Sequence, residues 1–165
     1  SSDLLMAKNL FIGDEAVLED CNLVAFEKVV ISDKANLEDV QLVLFSIPEG
    51  DDYRGSVRLN GESKFQGNIL ICPYDKEDRF GMKESNLKFY KSEDAELRGG
   101  VINFGTSEIY GEITGSVYSK RFRSKGEDNT VRNIKLKRRR FVKYPFVMGL
   151  KLENYGRTTK GIYPN

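Results

Sequence analysis

Two adjacent stretches of this 165-residue chain are copies of one another. Residues 10–26 (LFIGDEAVLEDCNLVAF) and 29–45 (VVISDKANLEDVQLVLF) agree at nine of 17 positions at an offset of 19. A short fixed offset constrains the fold strongly. Each copy is too small to bury its own apolar face and must pack on the next. The kernel is a small residue, an apolar residue two positions on, and Asp or Gly two positions after that. It recurs as Ala16-x-Leu18-x-Asp20, Ala35-x-Leu37-x-Asp39, Ser63-x-Phe65-x-Gly67, Ala95-x-Leu97-x-Gly99 and Ser107-x-Ile109-x-Gly111. The starting positions step by 19, 28, 32 and 12. The two long steps contain polar stretches, residues 46–55 and 73–85, that read as loop insertions.

Within each copy the apolar positions alternate, as in Phe65-x-Gly67-x-Ile69-x-Ile71 and Ile109-x-Gly111-x-Ile113. Side chains at i, i+2 and i+4 share one face of a strand. Ala and Ser suit a tight inward corner, and Gly and Asp suit a turn with a left-handed backbone. The expectation is an all-β chain: a single-stranded parallel β-helix (β-solenoid), the right hand favoured, with coils of about 19 residues, two loop insertions and a C-terminal cap. A β-sandwich or barrel of short hairpins is the competing arrangement. Similarity between the copies favours coils, since hairpins require none. The expected divisions are residues 1–9 as cap or linker, 10–119 as coils, and 120–165 as a basic coil or cap with a polar tail.

Three resemblances rest on these residues. Ile12-Gly13-x-x-Ala16 and Ile31-Ser32-x-x-Ala35 look like hexapeptide units of left-handed β-helix acyltransferases. Those enzymes typically use a His base, and this chain has no His, so the resemblance does not extend to acetyl transfer. Gly99-Gly-Val101-Ile-Asn103 and Ile109-Tyr-Gly111-Glu-Ile113-Thr-Gly115-Ser-Val117 resemble bactofilins, polymer-forming bacterial cytoskeletal proteins built on a β-helix. Gly115-Ser-Val117-Tyr118-Ser119 is similar to a segment of β-helical envelope proteins of the Bacteroidetes type. The last two resemblances imply a structural, self-associating or partner-docking role in the bacterial envelope. A cytoplasmic scaffold is the alternative location.

Charge is segregated along the chain. Residues 1–115 carry 12 Lys and Arg against 22 Asp and Glu, and residues 116–165 carry 14 against 3. The net charge of +1 is therefore a cancellation of −10 by +11. Such a division favours head-to-tail attraction or an anionic partner. The densest basic cluster is Lys135, Lys137, Arg138, Arg139, Arg140 and Lys143, flanked by Phe141 and Tyr144. It is the candidate site for an anionic glycan or lipid headgroup, with nucleic acid a weaker fit. The plainer reading is a strand whose polar face balances the acidic body.

The missing His also removes the usual near-neutral general base and every Ser-His or Cys-His nucleophile pair. Asp14, Asp20, Asp33 and Asp39 stack at the repeat spacing, as calcium ligands can. Gly replaces Asp in the later copies, which points to turn chemistry. Glu62, Asp94 and Arg98 are the residues a carbohydrate-active groove would use, although no paired-carboxylate motif stands out. Cys72 aligns with Leu44 as a small core residue, and nothing places Cys21 within bonding reach of it. No stretch approaches the length of a membrane-spanning helix, and the first residues lack the pattern of a signal peptide. The functional expectation is a non-catalytic structural or interaction module without cofactor or metal, a rigid β-helical rod that self-associates or docks an envelope protein. A carbohydrate-binding or carbohydrate-active protein is the alternative.

Overall fold

The structure, a computed structural model, describes residues 3–49, 52–74 and 85–123. The described residues form ten strands: β1 (Asp3–Ile12), β2 (Val17–Glu19), β3 (Cys21–Ile31), β4 (Asn36–Ser46), β5 (Pro48–Glu49), β6 (Asp52–Leu59), β7 (Lys64–Pro73), β8 (Ser85–Lys91), β9 (Glu96–Ile109) and β10 (Ile113–Phe122). The chain is all-β, as the alternation implies. Residues 3–9 belong to β1 and residues 120–122 to β10.

Neighbouring strands are parallel throughout, apart from the short β5–β6 hairpin. The 19-residue repeat appears directly as register. Leu23 lies opposite Leu42 and Val24 opposite Val43. The two long steps reappear as offsets of 28 and 32, with Leu37 opposite Phe65 and Phe65 opposite Leu97. Parallel partners need a long connection between them. Here a whole circuit of the chain supplies it.

The expected open β-helix is corrected by how these ladders close. β3 pairs with β4 through residues 22–25 and with β6 through residues 28–31. β9 likewise pairs with β7 through residues 96–103 and with β8 through residues 106–109. Two long strands thus serve different neighbours with their two halves, and the pairing returns on itself as β3–β4–β7–β9–β8–β6–β3. The protein is a closed barrel of six parallel strands, with β1, β2, β5 and β10 added outside the ring. It is not an open solenoid. Repeat spacing fixes the register between copies, but not whether bent strands close the sheet. The fifth expected motif also shifts. Ser107 pairs with Phe89, and Ile113, not Ile109, lies opposite Leu97.

Inward positions of the alternation fill the barrel. Leu23, Leu42, Ile69 and Val101 make one buried row, and Val29, Val57 and Phe89 another. Each such side chain contributes about 1.5–3 kcal/mol by leaving water. One wall is buried on its outer face as well. Val24, Val43 and Leu70 are outward-facing yet almost fully covered, with Phe45, Cys72, Ile102 and Phe104 packed at the latter two. Parallel strands covered on both faces read as continuous apolar runs, which explains residues 69–72.

Corners explain the Asp-or-Gly position. Asp20 and Asp39 hold left-handed corners, with φ of 47° and 53°. Between Leu37 and Val40 β4 takes three steps where β7 takes two, from Phe65 to Gly67. That is a bulge. The later turns drop the extra residue, and Gly67, Gly99 and Gly115 stack with φ of 144°, 140° and 141°. A Cβ there would overlap the carbonyl oxygen of Val40, Gly67 or Gly99 respectively. Only glycine fits.

Candidate interaction edges

Inside the six-membered ring every strand has a neighbour on both sides. Among the described residues, β1 pairs with β3 alone and β10 with β9 alone. These two strands are the outer members of one parallel run, β1–β3–β4–β7–β9–β10. A free strand edge presents backbone donors and acceptors to a further strand. The sequence builds both edges to the same pattern as the buried strands between them. The row Leu23–Leu42–Ile69–Val101 continues to Leu5 at one end and Val117 at the other. The outer row Val24–Val43–Leu70–Ile102 continues to Met6 and Tyr118.

Burial changes abruptly at the ends of these rows. Leu23 and Leu42 are fully buried, whereas Leu5 is 45% exposed. Val24 and Val43 are covered, whereas Met6 and Tyr118 are 59% and 63% exposed. Phe11, at 69%, is covered on one side by Lys28, whose Nζ lies 5.6 Å from the ring centroid. Lys8 on the same strand pairs with Glu27 at 3.3 Å. Large apolar side chains continuing a core pattern into solvent on a free edge have the character of a docking surface.

Polar chemistry gathers elsewhere and is largely internally partnered. A groove of about 200 Å³ on the outer wall is lined by Glu38, Lys64, Gln66, Glu96 and Arg98. There Glu96 sits 3.7 Å from Lys64 Nζ and 3.4 Å from Arg98 Nη2, while Asn36 donates to Glu38 at 3.0 Å. Lys64–Glu96 thus links β7 to β9, while the other two contacts lie within β9 and within β4. Of the three residues considered for a carbohydrate groove, Arg98 lies here. Glu62 lies at a different corner with Asp14, Glu15, Asp33 and Lys34, and Asp94 in the turn before β9. The structure does not bring the three together.

The four repeated Asp residues all have left-handed φ, between 47° and 57°, and so act as turn residues. Cys21 and Cys72 are both free thiols. Cys72 lies opposite Phe45 and joins the outer apolar cluster, not the barrel interior, where Ile71 lies opposite Leu44. Burial pushes its thiol up to about 11. Burial, then Asp3 and Asp20, also raises that of Cys21. The basic candidates Lys135, Lys137, Arg138, Arg139, Arg140 and Lys143 lie outside the described residues.

Two interior polar groups escaped the sequence reading. Lys91 is fully buried, its Nζ donating to the carbonyl oxygens of Tyr110 at 2.7 Å and Ser92 at 3.0 Å. Asn103 clamps the bend of β9. It donates to Ser107 Oγ at 3.0 Å and accepts from the Gly105 amide at 3.0 Å. Asn103 was legible as a polar break in an apolar alternation. Lys91 carried no such signal, because a Lys at a strand end is ordinarily solvated. Comparison with known proteins gives no match to a family model, to a curated protein or to a solved structure.

Proposed function

We propose that this chain is a non-catalytic structural module that works by strand-edge association, self-assembling or docking a partner strand. The observation that carries the reading is that, among the described residues, β1 pairs with β3 alone and β10 with β9 alone, each continuing buried apolar rows into exposed side chains. Outer-edge backbone groups gain hydrogen bonds when a further strand adds, and Leu5, Met6, Val117 and Tyr118 gain burial. A setting in the bacterial envelope belongs to the same proposal, supported by the likeness of residues 115–119 to envelope proteins. Sedimentation velocity across protein concentration tests the reading. Reversible growth beyond monomer supports it, and a monomer at every concentration, with no partner strand taken up, overturns it.

A further inference from the structure

We propose that the outer face of the β1–β3–β6–β8 wall binds an acidic polysaccharide, a linear glycan with a carboxylate on alternate sugars. The site goes beyond strand-edge association and does not depend on it.

Barrel closure creates this face. Residues 28–31 of β3 run between residues 9–12 of β1 and residues 56–59 of β6, which pair in turn with residues 88–91 of β8. Val29, Val57 and Phe89 point into the core, so the residues on either side of them point outward. One outward row is Lys28–Ser56–Lys88, and the next is Phe11–Val30–Arg58–Tyr90. Positions 28, 30, 56, 58, 88 and 90 carry three bases and no acid. The corner segments 13–16, 32–35, 60–63 and 92–95 carry six acids and one base. The folded body is therefore acidic at its corners and basic on this wall, a division that linear charge counting hides.

The three cations are uncompensated. Arg58 and Lys88 are exposed and Lys28 is half-buried. Lys28 Nζ lies 5.6 Å from the Phe11 ring centroid, and the Arg58 guanidinium carbon 5.9 Å from that of Tyr90. A ring attracts a cation without neutralising it. Among the described residues none of the three forms an ion pair. The nearby acids are engaged elsewhere. Glu27 takes Lys8 at 3.3 Å and the Asn9 amide at 3.2 Å, and Glu108 accepts from the Tyr110 hydroxyl.

Spacing selects the ligand. Lys28 and Lys88 sit two strands apart, about 10 Å, with the Ser56 hydroxyl between them. Each sugar ring advances a linear glycan by about the width of one strand. A glycan laid across the strands thus brings its alternate carboxylates to the two ammonium groups and a neutral sugar over Ser56. Arg58 adds a planar fork suited to a carboxylate. Phe11, 69% exposed, offers an apolar ring beside Lys28 for the C–H face of a sugar. Nucleic acid fits less well, because it carries a charge on every unit and binds through successive stacking rings. The acidic corners repel a polyanion and confine it to the basic rows.

Titration calorimetry of the full chain with a hyaluronan octasaccharide, whose glucuronate alternates with a neutral sugar, tests the proposal. Binding is expected, weakening as salt rises, with none to a neutral dextran oligosaccharide. Lys28→Gln with Lys88→Gln is expected to weaken it about ten-fold. Lys34→Gln with Lys64→Gln removes the same charge from exposed positions on other faces, and is expected to change it by less than about two-fold. Phe11→Ala is expected to weaken binding about five-fold and leave its salt dependence intact. A wild type that does not bind the octasaccharide overturns the proposal. So does a Lys28/Lys88 variant that loses nothing, or no more than the Lys34/Lys64 variant. Oligothymidylate held more tightly than hyaluronan through Lys28 and Lys88 overturns the glycan in favour of nucleic acid. Sedimentation reads edge association separately, so either claim can fail alone.

Discussion

The ammonium of Lys91 donates to the carbonyl oxygen of Tyr110 at 2.7 Å from a position with no solvent exposure. Burial lowers its pKa from the ordinary value of about 10.5, against the opposing pull of Asp94, Glu93 and Glu96. Between the lowered folded value and the unfolded value, the unfolded chain binds more protons, so this group's contribution to stability rises with pH across that window. Below the window both states are protonated and the contribution is constant. Chemical denaturation of wild type and Lys91→Met across the alkaline range is expected to show the wild type gaining relative to the variant as pH rises. A difference that falls instead would show that the carbonyl contacts outweigh burial.

The glycine stack makes a sharper demand. Gly99→Ala places a Cβ on the carbonyl oxygen of Gly67 in a backbone region closed to other residues, and is expected to cost about 3 kcal/mol or more. Asp39→Gly, at the equivalent bulged corner with φ of 53°, is expected to change stability by no more than about 1 kcal/mol. Urea unfolding of both variants measures the contrast; equal effects would contradict the corner geometry.

Leu70 tests the covered outer wall. Simple alternation assigns it to the solvent side of β7, yet it is 6% exposed against Val43. Leu70→Ala is expected to cost about 2–4 kcal/mol, the range of an interior truncation. A change under about 0.5 kcal/mol would mark the position as an ordinary surface site.

The two thiols should be slow. Cys72 at about 11 and the buried Cys21 hold little thiolate near neutral pH, and thiolate is the reacting form. Alkylation of native protein at neutral pH is expected to lag far behind the unfolded chain at both positions. Modification at free-thiol rates would contradict the burial of Cys21 and the raised pKa of the half-buried Cys72.

The sequence made the strand character, the parallel register and the corner residues legible. An offset of 19 between two copies becomes Leu23 opposite Leu42, and the Asp-or-Gly position becomes a left-handed corner. Closure was not legible, because it depends on residues 28–31 of β3 and 106–109 of β9 turning toward β6 and β8. Neither bend is encoded by periodicity, and Asn103, which holds the second, acts through hydrogen bonds with Ser107 and Gly105 that exist only once the chain has bent. The free edges were hidden for a similar reason. Leu5 and Val117 have the same alternating pattern as Leu23 and Val101, and only the topology shows that nothing among the described residues follows them.

Hydrogen exchange followed as a function of protein concentration reads association at the strand edges residue by residue. Amides of β4 and β7, inside the ring, should be protected at every concentration. Those on the outer sides of β1 and β10 should exchange quickly when the protein is dilute and become protected together as it is concentrated. Edge amides that remain equally fast at concentrations where the protein has associated would contradict the account, since association would then run through another surface.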